Sequence, residues 1–308
     1  RVRIRRAHLE EDAGKNLHEA GSGMSLVDLN RAGTPLLEIV TEPDLSSSEE
    51  VVAYLKALRD LVMYLDVCDG NMEEGSFRCE PNLSLRPVGQ TTFGTKVELK
   101  NINSFKFVKD AVDFEIKRQT KVLNEGGKIY QETRLWNHER GETAVMRSKE
   151  EAHDYRYFPD PDLVPMEISS EWIEQLREGL PELASTKQQR FITEYGVPEY
   201  DAGILTSSKA LAMYFDACVK LYPQPKTVSN WVMGELLREL NNSGIEAAAS
   251  PVTPERLVEL LTLVDQGVIS LKVAREIFPD VYASGKAPAR IVQEKGLTQV
   301  SDEGALAT

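Results

Sequence analysis

Residues 71–86 read NMEEGSFRCEPNLSLR and residues 95–105 read TKVELKNINSF. In the first stretch Phe77, Cys79, Pro81, Leu83 and Leu85 alternate with Arg78, Glu80, Asn82, Ser84 and Arg86. Period-two alternation sends one set of side chains to a core and the other to an open face. In the second stretch Val97 and Leu99 alternate with Lys96, Glu98 and Lys100. A Gly-containing turn region from Gly89 to Gly94 separates them, so the two read as a hairpin or as near neighbours in a sheet. The open face then carries carboxylates, a guanidinium, an ammonium and an amide, preceded by the pair Glu73–Glu74. Such a face is either solvated sheet or a site.

Working outward toward the N-terminus, Val2 and Ile4 alternate with Arg1, Arg3 and Arg5, a strand pattern that runs into His8, Glu10 and Asp12 on one side and Leu9 and Glu11 on the other. Three consecutive acids repel one another unless water, a cation or a basic group compensates them. Residues 16–24, with Gly21, Ser22 and Gly23, read as a loop. Two short strands follow, Leu26–Leu29 and Leu36–Val40, joined by turn chemistry from Asn30 to Pro35. Asp28, Asn30, Arg31 and Glu38 are the polar exceptions in this apolar stretch. Ser47 with Glu50 forms a capping box ahead of Val51, Leu55, Leu58, Val62 and Leu65 at helical spacing, a helix expected to cover one face of the sheet.

Beyond the hairpin, a helix is predicted over Lys106–Leu123, then strands Ile129–Trp136 and Glu142–Arg147 with a turn at Asn137–Gly141. His138 at that tip reads as a solvated turn residue. HDYRYFPDPDLVP (153–165) holds three prolines, which makes it a rigid extended segment presenting Arg156, Asp160 and Asp162. From Ser170 the pattern turns helical: 171–178, 182–195, 207–221, 227–240, 254–266 and 271–281. Thr253-Pro254 is an N-cap with proline at the first helical position. The expected class is therefore α+β, with a sheet-bearing part giving way to an all-helical part near 166–180.

The chain has 308 residues, 41% hydrophobic and 28% charged, ordinary values for a globular protein large enough for two or three domains. A net charge of −13 argues against a general nucleic-acid coat while permitting a local basic patch. Cys68, Cys79 and Cys218 form no CxxC pair, which indicates neither a disulfide framework nor a zinc knuckle and fits a reducing cytoplasm. No apolar run reaches transmembrane length. Arg1 opens directly in strand-like sequence and Thr308 closes in polar sequence, which predicts a fragment of a longer chain. Acids on separate segments beside Arg3, Lys15, Arg78 and Lys100 suit a divalent ion and phosphate oxygens, hence phosphoryl chemistry. There is no P-loop, GxGxxG or nucleophile elbow.

HLEEDAGK (8–15), DLNRAGTPLLEIVTEPD (28–44), MEEGSFRCEPNLSLRP (72–87), VELKNINSF (97–105), DYRYFPDPDLVP (154–165), NWVMGELLRELN (230–241) and DQGVISLKVAREIF (265–278) closely resemble the GatB family, the B component of the tRNA-dependent amidotransferase GatCAB. The resemblance implies a β-sheet cradle domain over 1–175, lacking its N-terminal part, an all-α helical domain over 176–295, and the start of a tail domain at 296–308. It implies a ligase that uses ATP and Mg2+ to phosphorylate the side-chain carboxylate of Glu-tRNA(Gln) or Asp-tRNA(Asn). Ammonia then displaces the phosphate, channelled from the glutaminase GatA, with the small GatC joining the two and the assembly in the cytoplasm. By motif match it implies Glu98, Lys100 and Arg78 as catalytic residues, and Asn101, Arg156 and Lys15 as substrate or phosphate contacts. Glu10, Glu11 and Glu98 are the implied metal carboxylates, with His8, Asp12, Glu73 and Glu80 as further candidates. Adjacent strand residues point opposite ways, so Glu10 and Glu11 reach one ion only across a bulge. Two other readings remain open from the residues: a non-catalytic tRNA-binding scaffold, with Lys209, Lys226, Arg238, Lys272, Arg275 and Lys286 as candidate contacts, and a plain interaction protein with a solvated acidic face.

Overall fold

The computed structural model describes residues 1–18, 25–148, 164 and 167–298. Its described residues fall into two compact units, one drawn from Arg1–Ala57 and Arg78–Asp154, the other from Leu58–Phe77 and Tyr155–Thr308. The sheet-bearing unit and the helical unit together make the α+β class expected from the alternation before 150 and the helical periodicity after 170.

In the first unit β1 (Ile4–Glu11) pairs antiparallel with β4 (Pro35–Thr41), placing His8 opposite Glu38, Leu9 opposite Leu37 and Glu10 opposite Leu36. β2 (Lys15–His18) pairs with β3 (Ser25–Asp28). Residues 16–18, expected in a loop, are thus strand, and the two strands joined by the Asn30–Pro35 turn pair with β1 and β2, not with each other. Nesting β2–β3 inside β1–β4 lets each short strand satisfy one edge of its backbone.

The main sheet has the order β5-β6-β7-β8, from Asn82–Leu83, Val97–Lys100, Glu132–Asn137 and Glu142–Ser148. β5 and β6 are antiparallel, β6 and β7 parallel, β7 and β8 antiparallel. A parallel pair needs a crossover, and α2 (Phe105–Asn124) supplies it. Ser104 caps α2, its hydroxyl accepting from Phe107 N–H. Val97 and Leu99 are completely buried, as are Val108 and Ala111 of α2, and Trp136 meets Phe114 edge-on at 6.2 Å. Glu115, wholly buried on α2, accepts from Arg118 at 2.9 and 2.6 Å and from Gln119 at 2.9 Å, so the charge is paired as burial demands.

α1 (Ser48–Tyr64) starts at the expected box, with Glu50 N–H donating to Ser47 Oγ and Ser46 N–H to the Glu50 carboxylate. The boundary between units falls inside this helix. In the helical unit Tyr64 is buried and donates to the Thr206 carbonyl at 2.8 Å. After α3 (Ser170–Glu178), the core there is formed by Phe191 of α4 (Ala184–Thr193), Leu205 of α5 (Glu199–Leu205), Phe215 of α6 (Lys209–Leu221) and, further on, Leu257, Ile277 and Phe278. Phe191 and Phe215 meet edge-on at 4.8 Å.

Candidate active site

The strand alternation of β1 decides which acids can act together. Its register is continuous from Arg6 to Glu11, the irregularity lying between Ile4 and Arg6. His8, Glu10 and Asp12 are therefore half-covered, while Leu9 and Glu11 are exposed on the other side. The bulge that would turn Glu10 and Glu11 the same way is absent, so these two do not share a ligand position. His8 Nε2 lies 3.1 Å from Glu38 Oε2 across the strand pair and 3.9 Å from Glu10 Oε2, and Arg6 approaches Glu38 at 3.5 Å. Asp12 is held more tightly. Its Oδ2 accepts from Arg31 Nε at 2.9 Å and from Arg78 Nη2, and its Oδ1 accepts from Arg78 Nη1 at 3.3 Å. Burial acts to raise the Asp12 carboxyl, but the two guanidiniums outweigh it and hold it below the usual carboxylate range.

A second charged group forms on the main sheet. Glu98 faces Asn82 across β5–β6 and Thr133 across β6–β7. Thr133, completely buried, donates its hydroxyl to Glu98 Oε2 at 2.7 Å. Lys100, two residues on and therefore on the same face, donates Nζ to Glu80 Oε2 at 2.7 Å and stands 3.9 Å from Glu98 Oε1. Arg78 and Glu80 are alternate exposed residues of one segment, with Phe77, Cys79 and Pro81 less exposed between and beside them. That segment links the two groups: Arg78 reaches Asp12 and Glu80 reaches Lys100. Burial pushes the Cys79 thiol up to about 12, so it stays protonated at neutral pH and is no nucleophile.

The remaining expected site residues fare differently. Asn101 closes β6 at a positive φ of 65°, a conformation asparagine tolerates, and its Nδ2 donates to the Trp136 carbonyl at 3.0 Å. Its amide nitrogen thus has a structural task. Lys15 sits opposite Asp28 in the β2–β3 register. Arg156 lies outside the described residues. Glu73 and Glu74 occupy a turn in which both N–H groups donate to Asn71 Oδ1. His138 stacks on Phe107, with ring centroids 5.3 Å apart. Glu10, Glu11 and Glu98 do not form a ligand set, and among the described residues no group of three or more His, Cys, Asp or Glu side chains is arranged to hold a metal ion. His8, Glu10 and Glu38 supply suitable donor types, but the acids close on the imidazole and not around a common point. Mg2+ does not fit these side chains as they stand.

Four residues of these groups were not among the expected site residues: Arg6, Arg31, Glu38 and Thr133. Glu38 had a legible signal, being the one charge inside Leu36–Val40, and Arg31 a weaker one as the lone cation of its turn. Thr133 had none, since its importance comes from which strand lies beside β6.

An α2-backed mixed sheet with Glu98 and Lys100 on one face, followed along the chain by an all-helical unit, defines a two-part α+β protein whose charged groups gather on the sheet-bearing unit. A family profile described as the GatB/GatE catalytic domain matches residues 1–174, and one described as the GatB domain matches residues 213–308. The chain is 58% identical to the B subunit of the aspartyl/glutamyl-tRNA(Asn/Gln) amidotransferase of Geobacter sp. strain M21, over 99% of this chain and 64% of that protein. The proteins of the same name from Solidesulfovibrio magneticus and Myxococcus xanthus are 55% and 56% identical, each over 99% of this chain and 64% of the relative. The chain belongs to the GatB family, the B subunits of the tRNA-dependent amidotransferases. It spans about 64% of the length of the curated relatives it matches. Among the described residues no helix is long and apolar enough to cross a membrane.

Proposed function

We propose that this chain carries the amide-forming site of a tRNA-dependent amidotransferase, a ligase acting on Glu-tRNA(Gln), Asp-tRNA(Asn) or both. The glutaminase GatA, the small GatC and the misacylated tRNA are its proposed partners, in the cytoplasm, with ATP as co-substrate and magnesium as the nucleotide's counter-ion. A carboxylate is a poor electrophile because it would have to expel oxide. Transfer of the ATP γ-phosphoryl to a carboxylate oxygen, with ADP leaving, gives an acyl phosphate. Ammonia then forms the C–N bond, the C–O bond to phosphate breaks, and the nitrogen sheds a proton.

The residues supply positioning and charge compensation, which is what phosphoryl transfer asks of a protein. Lys100 and Arg78 are cations held in place by Glu80 and Asp12, suited to the oxygens of the phosphoryl group. Glu98, fixed by Thr133 and standing beside Lys100, is the carboxylate placed to accept the proton lost by nitrogen. The observation that carries this reading is the Glu98–Lys100–Glu80 group joined through one segment to Arg78–Asp12. The test is Glu98→Gln and Lys100→Met in the complete amidotransferase, with ammonium chloride as nitrogen source and ATP-dependent amidation of Glu-tRNA(Gln) as readout. A loss of about 100-fold or more is expected for each. Wild-type rates with either variant refute the reading and leave the tRNA-binding scaffold in its place.

A further inference from the structure

The hairpin that carries Glu98 is closed by a loop built to hold its shape. It runs from Ser84 to Lys96, between β5 and β6. Gln90 N–H donates to the Pro87 carbonyl at 3.1 Å, and Gly89 takes a φ of +87° in that turn, a value glycine adopts without strain. Arg86 Nη1 donates to the Thr91 carbonyl at 2.5 Å. At Gly94 a Cβ would stand 2.1 Å from the Leu85 carbonyl oxygen, so the two sides of the loop touch backbone to backbone. These contacts fix where Arg86 and Phe93 stand. The guanidinium carbon lies over the Phe93 ring, 4.6 Å from its centre.

Phe93 is nevertheless 55% exposed, and Val88 at the tip is fully exposed. One exposed aromatic alone means little, and it is the setting that points to a ligand. No acid occurs from Pro81 to Val97, where Arg86 and Lys96 are the charged residues, in a chain of net charge −13. Gln90, Thr91, Thr92 and Thr95, all exposed, add hydrogen-bonding groups. A cationic loop with a fixed aromatic face suits a single-stranded nucleic acid, because the charges meet phosphates and the ring stacks on a base. A protein partner would call for a broader apolar centre. The loop opens directly into β6, and from Lys96 to Lys100 the chain advances roughly 13 Å, the span of a few nucleotides.

We infer that Phe93, backed by Arg86, is a stacking platform for an unpaired base in the single-stranded 3′ end of the aminoacyl-tRNA. The inference rests on the amide-forming reading and adds to it the residue that steadies the RNA next to the amino acid it carries.

The test uses the complete amidotransferase carrying Phe93→Ala, Phe93→Trp or Arg86→Met. ATP and Glu-tRNA(Gln) are varied separately, with ammonium chloride as nitrogen source. Phe93→Ala is expected to raise KM for Glu-tRNA(Gln) on the order of tenfold, with KM for ATP unchanged and kcat within about threefold of wild type. Phe93→Trp keeps the low KM, and its added fluorescence is quenched when uncharged tRNA(Gln) binds, because an indole stacked on a base loses emission. The quench is lost when the unpaired 3′ nucleotides are trimmed from that tRNA. Arg86→Met raises the same KM severalfold and makes it less sensitive to salt. An unchanged KM in Phe93→Ala, a loss confined to kcat, or a quench that is absent or survives trimming overturns the inference, while normal amidation keeps the amide-forming reading intact. A Phe93→Ala chain that no longer co-elutes with its partner subunits assigns the loop to a protein contact and overturns the inference too. Should Phe93→Ala misfold, the fluorescence of Phe93→Trp with intact and trimmed tRNA decides alone. A wild-type enzyme with no ATP-dependent amidation at all overturns the amide-forming reading and the inference with it.

Discussion

Replacing Thr133 by valine probes the site through a residue that no substrate need touch. The two side chains have nearly the same shape, so the substitution opens no cavity and trades one hydroxyl for a methyl. In the native structure that hydroxyl donates to Glu98 Oε2 at 2.7 Å, and Thr133 is completely buried. A hydrogen bond to a charged group contributes about 1.5–3 kcal/mol, and its loss leaves a largely covered carboxylate oxygen facing a methyl group. In the complete amidotransferase, Thr133→Val should lower unfolding stability by about 2 kcal/mol, a fall in Tm of roughly 4–8 °C for a domain of this size. Because each ~1.4 kcal/mol is a factor of ten, ammonia-dependent amidation should slow by about tenfold or more if Glu98 must hold one rotamer to work. Thr133→Ser should restore most of the rate, since it keeps the donor. The decisive assay is a cycle of Thr133→Val, Glu98→Gln and the double variant: the valine change should cost little once Glu98 is altered. Equal slowing by Thr133→Val on both backgrounds would refute the argument, as would a serine variant no better than valine.

Two further perturbations test the frame around the site. In the helical unit, burial acts to raise the Asp216 carboxyl, but hydrogen bonds from Arg190 at 3.0 Å and Tyr195 at 2.6 Å outweigh it and hold it at about 2, below the usual 3.8. A depressed folded-state value contributes stability above pH ~4 that is lost as pH falls toward 2, so the stability gap between wild type and Asp216→Asn, about 2 kcal/mol by urea unfolding, should be flat from pH 5 to 8 and close below 4. In the sheet-bearing unit, Glu115→Gln keeps the shape but leaves Arg118 and Arg134 without the buried charge they surround, and should cost about 3 kcal/mol by the same measurement, with Glu115→Gln/Arg118→Met recovering part of it.

Local chemistry was legible in the chain wherever a decision is made within a few residues. Ser47 and Thr253 start helices where the sequence places them, and the alternation from Phe77 to Arg86 sorts the more covered from the more exposed side chains over most of its length. What the alternation could not carry was extent of pairing: only Asn82 and Leu83 of that stretch join the ladder, because a partner strand must be available and Val97–Lys100 is short. Residues 227–240 read as one helix, whereas the backbone shifts to π-helical bonding over Val232–Leu236, with Gly234 inside. Periodicity over fourteen residues cannot register one inserted turn. Short α5 and the helix over Pro288–Lys295 were missed for a related reason, since about two turns offer too few apolar repeats to stand out.

The site shows the same division between near and far information. Side-chain direction along β1 was readable, and the alternation alone separated Glu10 from Glu11. Partner identity was not, and it decides the chemistry. Which of three adjacent acids matters cannot be told from the acids themselves. It depends on which of them meets Arg31 from a turn nineteen residues away and Arg78 from a segment sixty-six residues away. Asp12 meets both because the Gly33 turn folds back onto its backbone and because its side chain leaves the strand on the half-covered side. A run of acids that looks like a metal-binding motif therefore resolves into different environments: Glu11 on an open face, Glu10 beside an imidazole, and Asp12 compensated by two arginines.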